Sequence, residues 1–121
     1  MLGLLSGEST VKYVCRLDDI TTGAAKEVSV ERDSRIAWIV LLHHQGELLG
    51  YYNTCPHQGR ALNLSGDRFL FDKSGQLVCP HHGACFDVSN GVCTSGPCEG
   101  ASLKPVSVEV NEGEVFVTLP A

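Results

Sequence analysis

At 121 residues the chain has the length of one domain, which buries about 60–70% of the surface its unfolded form would expose; that allows a core but neither a second domain nor a large substrate pocket. A net charge of -5, from 14 acidic residues against nine Lys and Arg, excludes a nucleic-acid binder, whose affinity comes from clustered cations that release counterions. Five prolines, 13 glycines and many β-branched residues favour strands and tight turns over helices, so the predicted class is all-β.

The apolar opening over residues 1–5 has no basic start and is ended by Ser6, Gly7 and Glu8, so it is too brief for a secretory core region. No stretch approaches the ~20 apolar residues of a membrane span. The expected compartment is the cytoplasm, where the six cysteines read as metal ligands rather than disulfides.

Residues 11–17 read as a first strand, and Asp18, Asp19 and Thr21-Thr22-Gly23 turn the chain toward a second over 26–31. After a turn at Arg32-Asp33-Ser34, residues 36–42 form an unbroken apolar run of strand length, paired across Gln45-Gly46 with 48–52 as a hairpin. Such a run suits a central strand, with Trp38 in the core, while His43 and His44 fall at the hairpin tip and are expected to be solvated. From about 53 to 100 the character changes to Gly, Pro, Cys and His with only short apolar pieces. A segment so irregular is rarely a plain connection, and it predicts a site-bearing insert on a β scaffold. Beyond it Val106, Val108 and Val110 alternate with Ser107 and Glu109, Asn111-Glu112-Gly113 turns the chain, and Val115, Val117 and Leu119 alternate again. This is the clearest hairpin in the sequence.

Within the insert, Cys55-Pro56-His57-Gln58-Gly59 and Cys79-Pro80-His81-His82-Gly83 each bring a thiol and an imidazole within a few residues. Two Cys and two His in paired loops are the ligand set of either a zinc site or a 2Fe-2S centre in which histidines replace two cysteines on one iron. Isolated cysteines are most often just buried, but chance rarely writes Cys-Pro-His ahead of Gly twice in one chain. His81 competes with His82, because Cys79 to His81 repeats the spacing of Cys55 to His57. Cys15, Cys85, Cys93 and Cys98 are expected to be small buried hydrophobes.

The pattern C-x-H, then C-x-x-H-G after an intervening segment, resembles that of Rieske proteins. The chain is similar throughout, including Gly96-Pro97 and the closing Val-rich hairpin, to soluble, low-potential bacterial Rieske ferredoxins. The resemblance implies an all-β, Rieske-like antiparallel β sandwich with a small cluster-binding subdomain inserted between hairpins. The whole of 1–121 would be a single Rieske domain, with a base over 1–52 and 101–121 and the cluster-binding subdomain over about 53–100. It also implies one Rieske-type 2Fe-2S cluster, with Cys55 and Cys79 on one iron and His57 and His82 on the other. His82 rather than His81 matches the family's second loop and immediately precedes Gly83. The loop glycines would let backbone N–H groups approach the bridging sulfides.

No catalytic residue is expected. The implied role is an electron-transfer component, a one-electron carrier from a flavoprotein NAD(P)H reductase to the terminal component of a Rieske oxygenase. Both partners would be transient, with no nucleic acid and no membrane involved, and the carrier would be a monomer. An oxygenase itself needs a mononuclear iron held by two histidines and a carboxylate, for which only His43, His44 and His81 remain. The rival readings are the small Rieske-like subunit of a nitrite reductase and a structural zinc module with the same four ligands. One departure bears on the pathway rather than the cluster: the segment between the loops is longer than in ferredoxins of ring-hydroxylating dioxygenases, the extra length lying over 67–75. High-potential relatives carry a disulfide and two hydroxyl donors at places that correspond here to Arg60, His81, Ala84 and Phe86. Lacking those donors, the cluster is expected near the low end of the range of about -150 to +300 mV. Its histidines predict a potential that is flat near neutral pH and falls in alkali.

Overall fold

The computed structural model describes residues 10–56 and 59–120. His57, together with the apolar opening on which the leader argument rests, lies outside the described residues. The described residues form eleven strands: β1 (Thr10–Arg16), β2 (Ala25–Arg32), β3 (Arg35–His44), β4 (Glu47–Tyr52), β5 (Asn63–Ser65), β6 (Arg68–Phe71), β7 (Leu77–Val78), β8 (Cys85–Phe86), β9 (Cys93–Ser95), β10 (Pro105–Asn111) and β11 (Glu114–Leu119). They make two antiparallel sheets, a larger one ordered β1-β11-β10-β4-β3-β2 and a smaller one ordered β5-β6-β7-β8-β9. The fold is therefore all-β, as the composition predicts, and among the described residues no helix is long and apolar enough to cross a membrane.

Three hairpins of the larger sheet turn on residue pairs with both φ values positive: Asp33 and Ser34 (52° and 65°), Gln45 and Gly46 (51° and 82°), Glu112 and Gly113 (53° and 79°). Two left-handed residues in succession match the twist of the flanking strands. The turns expected from the sequence lie at these places.

The unbroken apolar run of β3 has its cause in burial on both faces. Ile39 and Leu41 pack with Cys15, Val28, Val106 and Val117 inside the larger sheet, whereas Val40 and Leu42 pack with Tyr51, Leu62, Leu77 and Phe86 against the smaller one. Trp38 shares the strand face of Val40 and Leu42, yet it is 50% exposed, which corrects its assignment to the core. The smaller sheet does not extend over it, and its ring borders a groove with Tyr52, Thr54, Gly59 and Ala61. His43 and His44 also depart from expectation: both are half-buried, and His43 Nδ1 lies 3.0 Å from the Ile20 carbonyl oxygen.

The smaller sheet is made wholly of residues that follow β4 and precede β10. Asp67, in the turn just before β6, fastens it to β2. One carboxylate oxygen accepts the Glu27 N–H at 2.9 Å, and the other pairs with Lys26 Nζ at 3.2 Å.

Candidate metal centre

Cys55 and Cys79 are closed by matching backbone hydrogen bonds. In the first, the Cys55 N–H donates to the Arg60 carbonyl (2.7 Å) and the Gly59 N–H donates back to the Cys55 carbonyl (2.8 Å). In the second, the Cys79 N–H donates to the Ala84 carbonyl (2.8 Å) and the Gly83 N–H to the Cys79 carbonyl (3.0 Å). Gly59 and Gly83 both take positive φ, 70° and 75°, a conformation in which a side chain would be strained. Each loop therefore closes on its own cysteine, at equivalent positions. By that equivalence of sequence positions His57 corresponds to His81, and Gln58 to His82.

Burial divides each loop. Cys55 and Cys79 are 3% and 1% exposed and belong to one apolar core with Leu62, Leu77, Ala84 and Phe86, whereas His81 and His82 are on the surface. Among the described residues no three His, Cys, Asp or Glu side chains gather about one point. A Cβ built on Gly59 or Gly83 meets nothing within 4 Å, so it is the positive φ and not crowding that favours glycine there.

A polar network missed by the sequence reading positions the first loop. Asn53, two residues before Cys55, is buried; its Oδ1 accepts the Leu62 N–H at 2.7 Å, and its Nδ2 donates to Glu27 Oε2 and to Asn63 Oδ1, both at 3.1 Å. Asn63 Nδ2 in turn donates to the same Glu27 oxygen at 2.9 Å and to the Gly66 carbonyl at 2.7 Å. The residue that follows β4 and the first residue of β5 are thus tied to one carboxylate on β2. The only hint in the sequence is the buried-turn chemistry of an Asn beside the motif, which does not name its partners.

The second loop is backed by the segment after β9. A Cβ on Gly96, whose φ is 102°, would come within 2.7 Å of the Ala84 Cα, so only glycine permits this approach. The same segment carries Cys98, whose thiol is pushed up to about 12 by burial first and then by its neighbours Cys93 and Cys55. Cys15, Cys93 and Cys98 are buried as expected, while Cys85 is only half-buried. Nearby, the Tyr51 hydroxyl donates to the Val88 carbonyl at 2.9 Å, and desolvation followed by the Asp87 charge raises its pKa.

Comparison with known proteins agrees with this geometry. The sequence signature of the Rieske [2Fe-2S] domain matches residues 10–117. Human apoptosis-inducing factor 3 is 30% identical over 106 residues, which cover 86% of this chain but only 16% of that protein. Ferredoxin CarAc of Metapseudomonas resinovorans is 31% identical over 108 residues, 86% of this chain and 89% of that one. A solved structure described as a complex of reduced oxygenase and oxidized ferredoxin in carbazole 1,9a-dioxygenase superposes with a TM-score of 0.69 at 29% identity, over 88% of this chain and 91% of that chain. With a family match over nearly its whole length, two matched Cys-and-His loops and an all-β frame, the chain belongs to the Rieske [2Fe-2S] domain family and has that family's 2Fe-2S cluster as its cofactor.

Proposed function

We propose that this chain is a ferredoxin that carries one electron at a time from a flavin-dependent NAD(P)H reductase to a terminal oxygenase, its cluster held by Cys55 and Cys79 on one iron and His57 and His82 on the other. The observation that carries this reading is the split burial of the loops, with both thiols sealed in the core and the His81-His82 turn exposed. A carrier needs such a split: tunnelling weakens steeply with distance, so a ligand edge must reach the surface where a partner docks. When bound, the cluster supplies one-electron uptake and release. The protein's part is to hold the loops through Asn53, Glu27 and Gly96, to keep water from the thiolates, and to leave the imidazole side open.

The match to ferredoxin CarAc along 89% of its length supports a carrier rather than an enzyme. The likeness to a ferredoxin solved together with its oxygenase supports an oxygenase as acceptor. In the same reading the chain is a single Rieske domain, monomeric and cytoplasmic, with its cluster-binding subdomain on the β base. The apolar core shared by Val40 and Leu42 of β3 with Leu77 and Phe86 of the smaller sheet supports one folding unit.

The test is an anaerobic titration of the brown protein, with iron and acid-labile sulfide assayed in the same sample. Two irons, two sulfides and one electron taken up per chain are expected, at a potential in the lower part of about -150 to +300 mV. The reduced protein should then pass its electron to an oxygenase of this class in a reconstituted system. A colourless protein containing zinc, or a potential well above zero, would reject the reading.

A further inference from the structure

Cys93 and Cys98 are outside the candidate ligand set, yet their sulfurs lie 3.1 Å apart in the buried layer behind the cluster loops. Backbone contacts impose this spacing. The Cys93 carbonyl accepts the Gly100 N–H at 3.0 Å, the Cys93 N–H donates to the Ala101 carbonyl at 2.8 Å, and the Ala101 N–H donates to the Cys98 carbonyl at 2.8 Å. Both thiol hydrogens have a place: Cys98 donates to the Cys93 sulfur, and Cys93 donates to the Ser95 carbonyl at 3.2 Å. A disulfide requires sulfurs at about 2.05 Å, roughly 1 Å closer than they stand.

We propose that Cys93 and Cys98 are a redox-active pair that forms a reversible disulfide by exchange with low-molecular-weight disulfides. Exchange begins at Cys98, which is 9% exposed against 1% for Cys93 and is flanked by exposed Pro97 and Glu99. The Cys98 sulfur gives up its proton and attacks one sulfur of the reagent, whose S–S bond breaks and releases one thiol. Cys93 then gives up its proton and attacks the Cys98 sulfur of the mixed disulfide, and the second thiol departs. The pair loses two electrons and two protons, and the reagent becomes two thiols. With both cysteines buried, a reagent reaches the pair slowly, and exchange belongs to sustained oxidising conditions rather than to each turnover. Cys85 serves as an internal control, because its S–H is directed at the Gly83 carbonyl, 3.6 Å away, and not at the pair.

Cluster-loaded protein is incubated with oxidised glutathione, quenched in acid, alkylated, digested without reductant and mapped by mass spectrometry. Cys93 and Cys98 should lose alkylation together in a peptide lighter by two hydrogens than its dithiol form, regain it after dithiothreitol, and leave the cluster absorption in place. With Cys93→Ser the resolving thiol is gone, and Cys98 should accumulate as a glutathione adduct. Full alkylation of both residues after treatment would overturn the proposal, as would a disulfide that recruits Cys55 at the expense of cluster absorption. If the variant does not fold, the mapping of the unmodified protein decides alone. Absence of cluster absorption before any treatment would count against the assigned ligands, whereas the mapping tests the thiol pair in either case.

Discussion

Replacing Asn53 with alanine isolates what the polar network contributes to the first cluster loop. The change deletes three hydrogen bonds and leaves the Leu62 N–H, in a residue with no exposure, without its acceptor. An unsatisfied buried donor costs about 1–3 kcal/mol, and each lost neutral bond about 1 kcal/mol. Glu27 keeps its bond from Asn63 at 2.9 Å and, being half-buried, can recruit water, which offsets part of the loss. A net destabilisation of about 2–4 kcal/mol follows, or a melting point lower by about 6–20 °C for a domain between the small and medium size classes. The measurement is a thermal scan at fixed rate, following visible circular dichroism for the cluster and far-ultraviolet signal for the strands, because cluster loss makes unfolding irreversible. Asn53→Asp keeps an oxygen for Leu62 but sets a carboxylate beside Glu27 and the Asn63 carbonyl, so it should fare no better. A midpoint within about 3 °C of the unmodified protein, with full cluster content, would refute the idea that this network holds the loop.

Gly96→Ala should cost about 2–5 kcal/mol, combining the penalty for a left-handed residue with overpacking against Ala84, and should purify with depleted iron; wild-type iron content and melting point would contradict it. His82→Ala should abolish the visible spectrum of the cluster while His81→Ala preserves it, and the reverse outcome would move the ligand to His81. Asp87 is held below the usual carboxylate range chiefly by the Ser89 hydroxyl and then by the Ser89 N–H. A depressed carboxyl stabilises the folded state fully above its unfolded pKa of about 3.9 and loses that contribution as pH falls through the lowered folded value. The melting-point gap between the unmodified protein and Asp87→Ala should thus be constant at neutral pH and close in acid, and a gap that survives in acid would be contrary evidence. Asp67→Ala removes a partly exposed ion pair with Lys26 and should cost less than about 1 kcal/mol beyond the Glu27 N–H bond, as checked by melting at low and high salt.

The long strands were readable because burial writes a pattern along the chain. The alternating valines of β10 and β11, the two-sided run of β3 and the three turns with successive positive φ values each meet a local demand that a few neighbouring residues express. The paired Cys-and-His loops were readable for a similar reason, since each thiol and its imidazole lie a few residues apart. The smaller sheet was not, because strands of two to four residues are too short to show any period. Trp38 misled because alternation assigns a face but not how far the covering sheet extends. Asn53, Asn63 and Glu27 look like any solvated polar residues until the sheets pack, and their contacts span 26 and 36 positions. Cys93 and Cys98 lie only five positions apart, but it is the folded-back turn after β9 that brings their sulfurs together. Local burial periodicity and ligand spacing live in the chain itself; the partners of buried polar groups and thiols depend on how two sheets close on each other, which no local pattern encodes.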